Sequence, residues 1–232
     1  MTERVIICIY MWCYHFVILT LIYVEERFTH YNLIMKFSKE EVLLMKLDPK
    51  LKQIIEKNKN IPINSPHRNY YHSLVKLIIG QFISTSAASS ITKKILVKFN
   101  TKTLNVEHFN KLTIGDIKKL GLSTNKAKSI LEITKEFSNL KIDSKIELFS
   151  EEELDKFLLS IYGIGPWTLS MFKMFSLGYT DVFSSKDAAL RKGMNNANMV
   201  LNNAKHEEYE SYSEKWKPYR SLASMHIWKS LD

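Results

Sequence analysis

The chain is expected to be all-α. Apolar residues recur at helical spacing along most of its length, and strand-like alternation is rare. Glycine and proline are few, seven and five in 232 residues, too sparse for the many turns of an all-β fold. The length allows one large domain, or two lobes sharing a cleft, and a hydrophobic content of 45% is enough for a globular core.

In chain order, Val5 to Val24 form an uncharged, mostly apolar run of about membrane-spanning length. Two readings of residues 1–34 stay open: translated sequence ahead of a natural start at Met35, or a membrane anchor. No small-residue cleavage site suggests a signal peptide. Residues 35–232 are then the functional domain. Ser38 with Glu41 predicts a capped helix, and Asp48-Pro49 opens a second through Leu51, Ile54 and Ile55. A polar loop with two prolines follows. From Asn69 a long helix is expected, and LVKLIIGQFI is apolar on nearly every side, as suits a buried central helix. Ser84 to Ser90 are small and polar and predict a turn close to another backbone. Ile91, Ile95, Leu96 and Phe99 give the next helix one apolar face, with Lys93, Lys94 and Lys98 elsewhere on it.

Thr113 with Asp116 caps a short helix that Gly121 ends, and Ser123 caps another through Ala127, Ile130, Leu131 and Phe137. Ile142 to Phe149 is expected to be a linker. Ser150 with Glu153 is a capping box, and Leu154, Phe157, Leu158 and Ile161 form one buried face behind it. Gly163 ends that helix and Pro166 suits the first turn of the next. The turn between them is Gly163-Ile164-Gly165, whose backbone can be approached closely and whose following N–H groups can face an anion such as a DNA phosphate. It is not GxGxxG, and no strand precedes it, so a dinucleotide site is not indicated. Asp187 stands at the head of a further helix as its expected N-cap, with Lys186, Arg191 and Lys192 nearby. After Met194 a polar loop and a mixed-charge helix are expected. Pro218 should start the last helix, with Leu222, Ala223 and Ile227 inward.

LLSIYGIGPWTLSMF followed by DVFSSKDAALRKG resembles the helix–hairpin–helix superfamily of DNA base-excision glycosylases, in particular the DNA-3-methyladenine glycosylase II branch. IIGQFIST around Gly80 and WKPYRSLASMHIW near the end look like further family segments, in the family's order. The resemblance runs from about Asp48 to the C-terminus. It implies a two-lobed helical fold with the active-site cleft between the lobes, and a monofunctional glycosylase that flips out and excises alkylated purines of the 3-methyladenine type.

The resemblance also implies roles. The family's invariant aspartate maps onto Asp187, the expected catalytic carboxylate, and a plain helix cap is the other reading of it. Asp181 is a lesser rival. Trp167 and Trp228 match aromatic positions of the base pocket, with core packing as the alternative for each. Met171 stands where an aromatic residue is often found, which leaves the substrate range open, and Tyr162 is placed in the cleft. Gln81 and Phe82 match the segment that fills the hole left by a flipped base, although Phe82 could equally be a core residue. Gly163, Ile164 and Gly165 would hold a phosphate, with Na+ or K+ on hairpin carbonyls. GLSTNKA resembles a second helical turn that touches phosphate. The lysine nucleophile of lyase-type relatives is matched by Trp167, and an indole cannot form a Schiff base.

The net charge of +9 suits a polyanionic partner, here duplex DNA carrying alkylated bases. Cys8 and Cys13 are the two cysteines, both in the N-terminal run. They make no disulfide framework, no zinc site and no iron–sulfur cluster, which needs four thiolates, so no cofactor is expected. A monomer without an obligate protein partner is expected, in the nucleus of a eukaryote or the cytoplasm of a bacterium. Two other readings are a non-catalytic helix–hairpin–helix DNA-binding module and a membrane-anchored helical protein.

Overall fold

The structure, a computed structural model, describes residues 36–58, 61, 69–140 and 146–232. These are helical, with no strand among the described residues. The Val5–Val24 run lies outside them, as do most of the two-proline loop and part of the linker. Among the described residues no helix is long and apolar enough to cross a membrane.

The first two helices, α1 (Lys39–Leu47) and α2 (Pro49–Asn58), begin where their caps predict. Ser38 and Glu41 bond reciprocally, and the Asp48 carboxylate accepts the Lys50 N–H at 2.9 Å. Next come α3 (Tyr70–Gly80), α4 (Thr85–Lys98), α5 (Ile114–Lys118) and α6 (Thr124–Leu140). The hairpin pair is α7 (Glu151–Ser160) and α8 (Pro166–Phe175), followed by α9 (Ala188–Asn196), α10 (His206–Ser213) and α11 (Arg220–Lys229). The apolar interior falls into two large clusters. One is built on α3, with Tyr71, Leu74, Ile78 and Ile79 fully buried against α6 and α8. The other gathers α1, α2, α9, α10 and α11 around Trp216. A small third cluster of Met171, Met174 and Val182 joins them beneath Trp167 and Trp228.

Three expectations need correction. The buried central helix stops at Gly80, and Gln81, Phe82 and Ile83 form a turn outside it. Phe82 has φ +58, which no helix accepts, and Ser84 already caps the next helix by accepting the Ala87 N–H. Ser84 to Ser90 are therefore not a turn but the cap and first turns of α4. Their small size still matters, because a Cβ on Gly80 would sit 3.9 Å from that of Ala88 where α3 and α4 meet. The last helix starts at Arg220 and not at Pro218, since the turn at Glu214–Trp216 runs on through a Tyr219 N–H bond to the Trp216 carbonyl.

Helix α11 is tied down from below. His226, fully buried, donates from Nε2 to Glu41 at 3.0 Å, and the Asn58 amide donates to the His226 carbonyl at 2.6 Å. Burial holds the His226 pKa below the usual histidine value, against the pull of the Glu41 carboxylate. A depressed histidine pKa stabilises the fold above the unfolded value of about 6.5 and loses that contribution as pH falls through it. The melting temperature should therefore drop between pH 7 and pH 5, and drop less in His226→Gln. Equal slopes in a thermal-melt series would refute this.

Candidate active site

The hairpin is positioned by local chemistry. Helix α7 ends at Ser160, Gly163 turns the chain with φ +87, and Pro166 starts α8. A Cβ on Gly163 would lie 1.9 Å from Ser129 Oγ, so the turn presses directly on α6. Lys173 of α8 clamps the pair by reaching Glu151 and Asp155 of α7, both at 2.7 Å. Burial disfavours its charge, yet the two carboxylates outweigh that and hold its pKa above the usual lysine value.

An open cleft of ≈ 1040 Å³ lies between this hairpin, the α3–α4 turn, the start of α6 and the start of α9. Four helix N-termini meet on it, at Ser84, Ser123, Gly165 and Asp187. Each leaves some N–H groups that no helical carbonyl takes, and such helix starts favour anions. Lys186 stands on its rim and Lys126 lines its wall. Lys126 donates to the Ile79 carbonyl at 2.7 Å, and partial burial lowers its pKa.

Asp187 caps α9, accepting the Leu190 N–H on Oδ1 at 2.6 Å. Two indoles converge on the same carboxylate. Trp167 donates to Oδ2 at 2.8 Å and Trp228 to Oδ1 at 2.9 Å. The loop carrying Asp187 is fixed in turn: Ser185 N–H bonds Glu210, Arg191 bonds the Ser185 carbonyl, and Ser221 Oγ bridges the Tyr179 carbonyl and the Val182 N–H. Asp181 faces away into a two-pronged pair with Arg220, at 2.8 and 3.0 Å, and this removes it as a rival.

The other expected residues divide. Trp167, Tyr162, Phe82, Gln81, Gly163, Ile164 and Gly165 all line the cleft with Asp187. Phe82 stands wholly in solvent on a strained, positive-φ backbone, so the core reading of it is wrong. Gln81 lines the cleft without projecting beside Phe82: its amide is spent on the Gly163 carbonyl and on Thr168 Oγ1, both at 2.9 Å. Met171 is not among the residues that line the cleft. It is 4% exposed and packs beneath the two tryptophans. Trp228 is half-buried, tilted against Phe175 at 5.8 Å between ring centroids, and bonds the carboxylate without being among the residues that line the cleft. Thr168 and Lys126 escaped notice from the sequence. Lys126 sits within GLSTNKA and Thr168 within LLSIYGIGPWTLSMF, so both segments carried a signal although neither side chain did.

For a cation, the hairpin offers only neutral oxygens. The Ile161 carbonyl accepts the Ile164 N–H at 3.1 Å and the Gly163 carbonyl accepts Gln81. Each oxygen retains a second lone pair, so the set fits a singly charged hard ion. Among the described residues no cluster of His, Cys, Asp or Glu could hold a metal ion.

With a helical hairpin, a capped aspartate beyond it and a cleft ringed by helix starts, residues 75–218 match the HhH-GPD superfamily of base excision DNA repair proteins. The chain belongs to that family. It is 26% identical over 199 residues to the alkylbase DNA glycosidase-like protein mag2 of Schizosaccharomyces pombe, covering 83% of this chain and 93% of that one. Among solved structures it resembles the 3-methyladenine DNA glycosylase Mag1 of S. pombe in complex with abasic DNA, with TM-score 0.75 and 25% identity over 83% of this chain and 96% of that one. It also resembles a DNA-3-methyladenine glycosidase from Bacillus halodurans, with TM-score 0.66 and 26% identity over 83% and 88% of the two chains.

Proposed function

We propose that this chain is a monofunctional DNA glycosylase that flips alkylated purines of the 3-methyladenine type out of duplex DNA and hydrolyses their N-glycosidic bond. The observation that carries this is the Asp187 carboxylate, held at the cleft by two indoles and a helix N-terminus. A phosphate-gripping module has no use for a negative charge clamped among its anion-binding helix starts, so the non-catalytic reading is disfavoured.

An N-alkylated purine of this kind is cationic, so it leaves with the electron pair of the C1′–N bond and needs no strong acid. The sugar left behind is positive at C1′. A fixed carboxylate in a partly dry cleft stabilises that charge by several kcal/mol, as an order of magnitude. Water then adds its oxygen to C1′ and releases a proton, and Asp187 can orient it. The face of Trp167 suits an electron-poor flipped base. Gly163 to Gly165 would hold a phosphate, with Na+ or K+ on the carbonyls, and the protein would act as a monomer. Because Trp167 occupies the lyase position, no strand cleavage is expected. Incubation with methylated duplex DNA should release methylated purine without a borohydride-trapped adduct, and full retention of the modified bases would overturn the reading.

Phe82 would fill the gap left by the flipped nucleotide. Its side chain touches no core, so Phe82→Ala should bind duplex bearing an abasic-site analogue about tenfold more weakly with an unchanged melting temperature. Unaltered binding in a fluorescence titration would remove the wedge role.

A further inference from the structure

Resting on that reading, we propose that Trp228 is a positioning residue that aims Asp187, not a wall for the flipped base, and that the carboxylate works through Oδ2. A carboxylate has about four in-plane sites for hydrogen bonds. Oδ1 accepts two donors, the Leu190 N–H and the Trp228 indole, while Oδ2 accepts one, from Trp167. The site left open is therefore on Oδ2, beside the indole that lines the cleft. Trp228 is not among the residues that line that space. Its ring packs near Phe175 and the cluster of Met171, Met174 and Val182.

The placement of Trp228 is over-determined from sequence upward. Helix α11 crosses α9 at Gly193, where a Cβ would come within 2.4 Å of Ile227 Cγ2 and 3.1 Å of the Ile227 carbonyl. Only a glycine lets α11 come this close, and the next residue along is Trp228. Below the same turn, His226 is pinned by Glu41 and Asn58. The indole N–H is thus carried to the head of α9 by a helix with little freedom to shift, and it fixes the plane of the carboxylate against rotation.

Trp228→Phe keeps an aromatic ring and deletes the N–H. The expected result is a single-turnover rate of methylpurine release lowered about 10- to 100-fold, with affinity for duplex bearing an intact, non-hydrolysable 2′-fluoro purine nucleotide within twofold of the unaltered protein. An unchanged rate overturns the proposal, and so does weaker binding at an unchanged rate, which is the mark of a stacking wall. A second measurement does not depend on activity. In ¹⁵N-correlated NMR, Asp187→Ala should move the indole N–H signals of both Trp167 and Trp228. Trp216, which bonds Asp48 at 3.0 Å, serves as the unmoved reference. A stationary Trp228 signal refutes the contact. Absence of base release by the unaltered protein would refute the glycosylase reading instead, and the NMR result would still decide the role of Trp228.

Discussion

Asp187→Asn is expected to lower methylpurine release about a thousandfold, roughly 4 kcal/mol of lost stabilisation, while the protein stays folded. Asparagine caps a helix about as well as aspartate, so the bond from Leu190 N–H survives. What changes is the charge and one partner. The amide has a single oxygen for three donors, and its NH2 must then confront the Trp167 or Trp228 N–H. That mismatch should cost about 1–3 kcal/mol of stability, visible as a melting temperature a few degrees lower. The sugar cation meanwhile loses its counter-charge altogether. Release at the unaltered rate would remove Asp187 from the chemistry and the glycosylase proposal with it.

Gly163→Ala is expected to have the largest effect on the fold itself. Its φ of +87 already penalises any L side chain, and the added methyl would lie 1.9 Å from Ser129 Oγ and 2.7 Å from Ser129 Cβ. Rotating the serine hydroxyl cannot relieve the second of these. Either α6 moves away or the hairpin reshapes, at about 2–4 kcal/mol. The Gly163 carbonyl would then leave Gln81, uncoupling the turn that bears Phe82 from the hairpin. Denaturant melts and binding to unmodified duplex should both deteriorate, whereas Gly165→Ala, with open space around its Cβ position, should be mild in comparison. Equal effects at the two glycines would contradict this account.

Local features of the site were legible before any coordinates. The capping pairs at Ser38, Thr113 and Ser150, the Gly163 turn, Pro166 and the Asp187 cap are written in residues three or four apart, within reach of helix-end chemistry. The end of α3 was less legible, because LVKLIIGQFI stays apolar on both sides of Gly80-Gln81, the pair at which the helix stops. Nor were the bonds that assemble the cleft. Gln81 meets Gly163 across 82 positions, and Trp228 meets Asp187 across 41. Such pairs leave no periodic trace, and an indole that hydrogen-bonds looks in sequence like one that stacks. Met171 shows the same limit from the other side. The resemblance puts it at a pocket position often held by an aromatic, whereas its side chain is buried with Met174 and Val182 in the cluster that Trp167 and Trp228 pack against.

The four helix starts that converge on the cleft have a consequence for inheritance. Amide protons are common property of every residue but proline, so the phosphate grip proposed for these ends would survive nearly any exchange of surface side chains. Drift can then rewrite most of the molecule, as it has between this chain and relatives sharing a quarter of its residues, provided the architecture keeps delivering those ends to one place. Selection on identity would fall chiefly on the few positions whose side chains do what no backbone can: one acid, the indoles around it, and the glycines that let neighbouring helices touch.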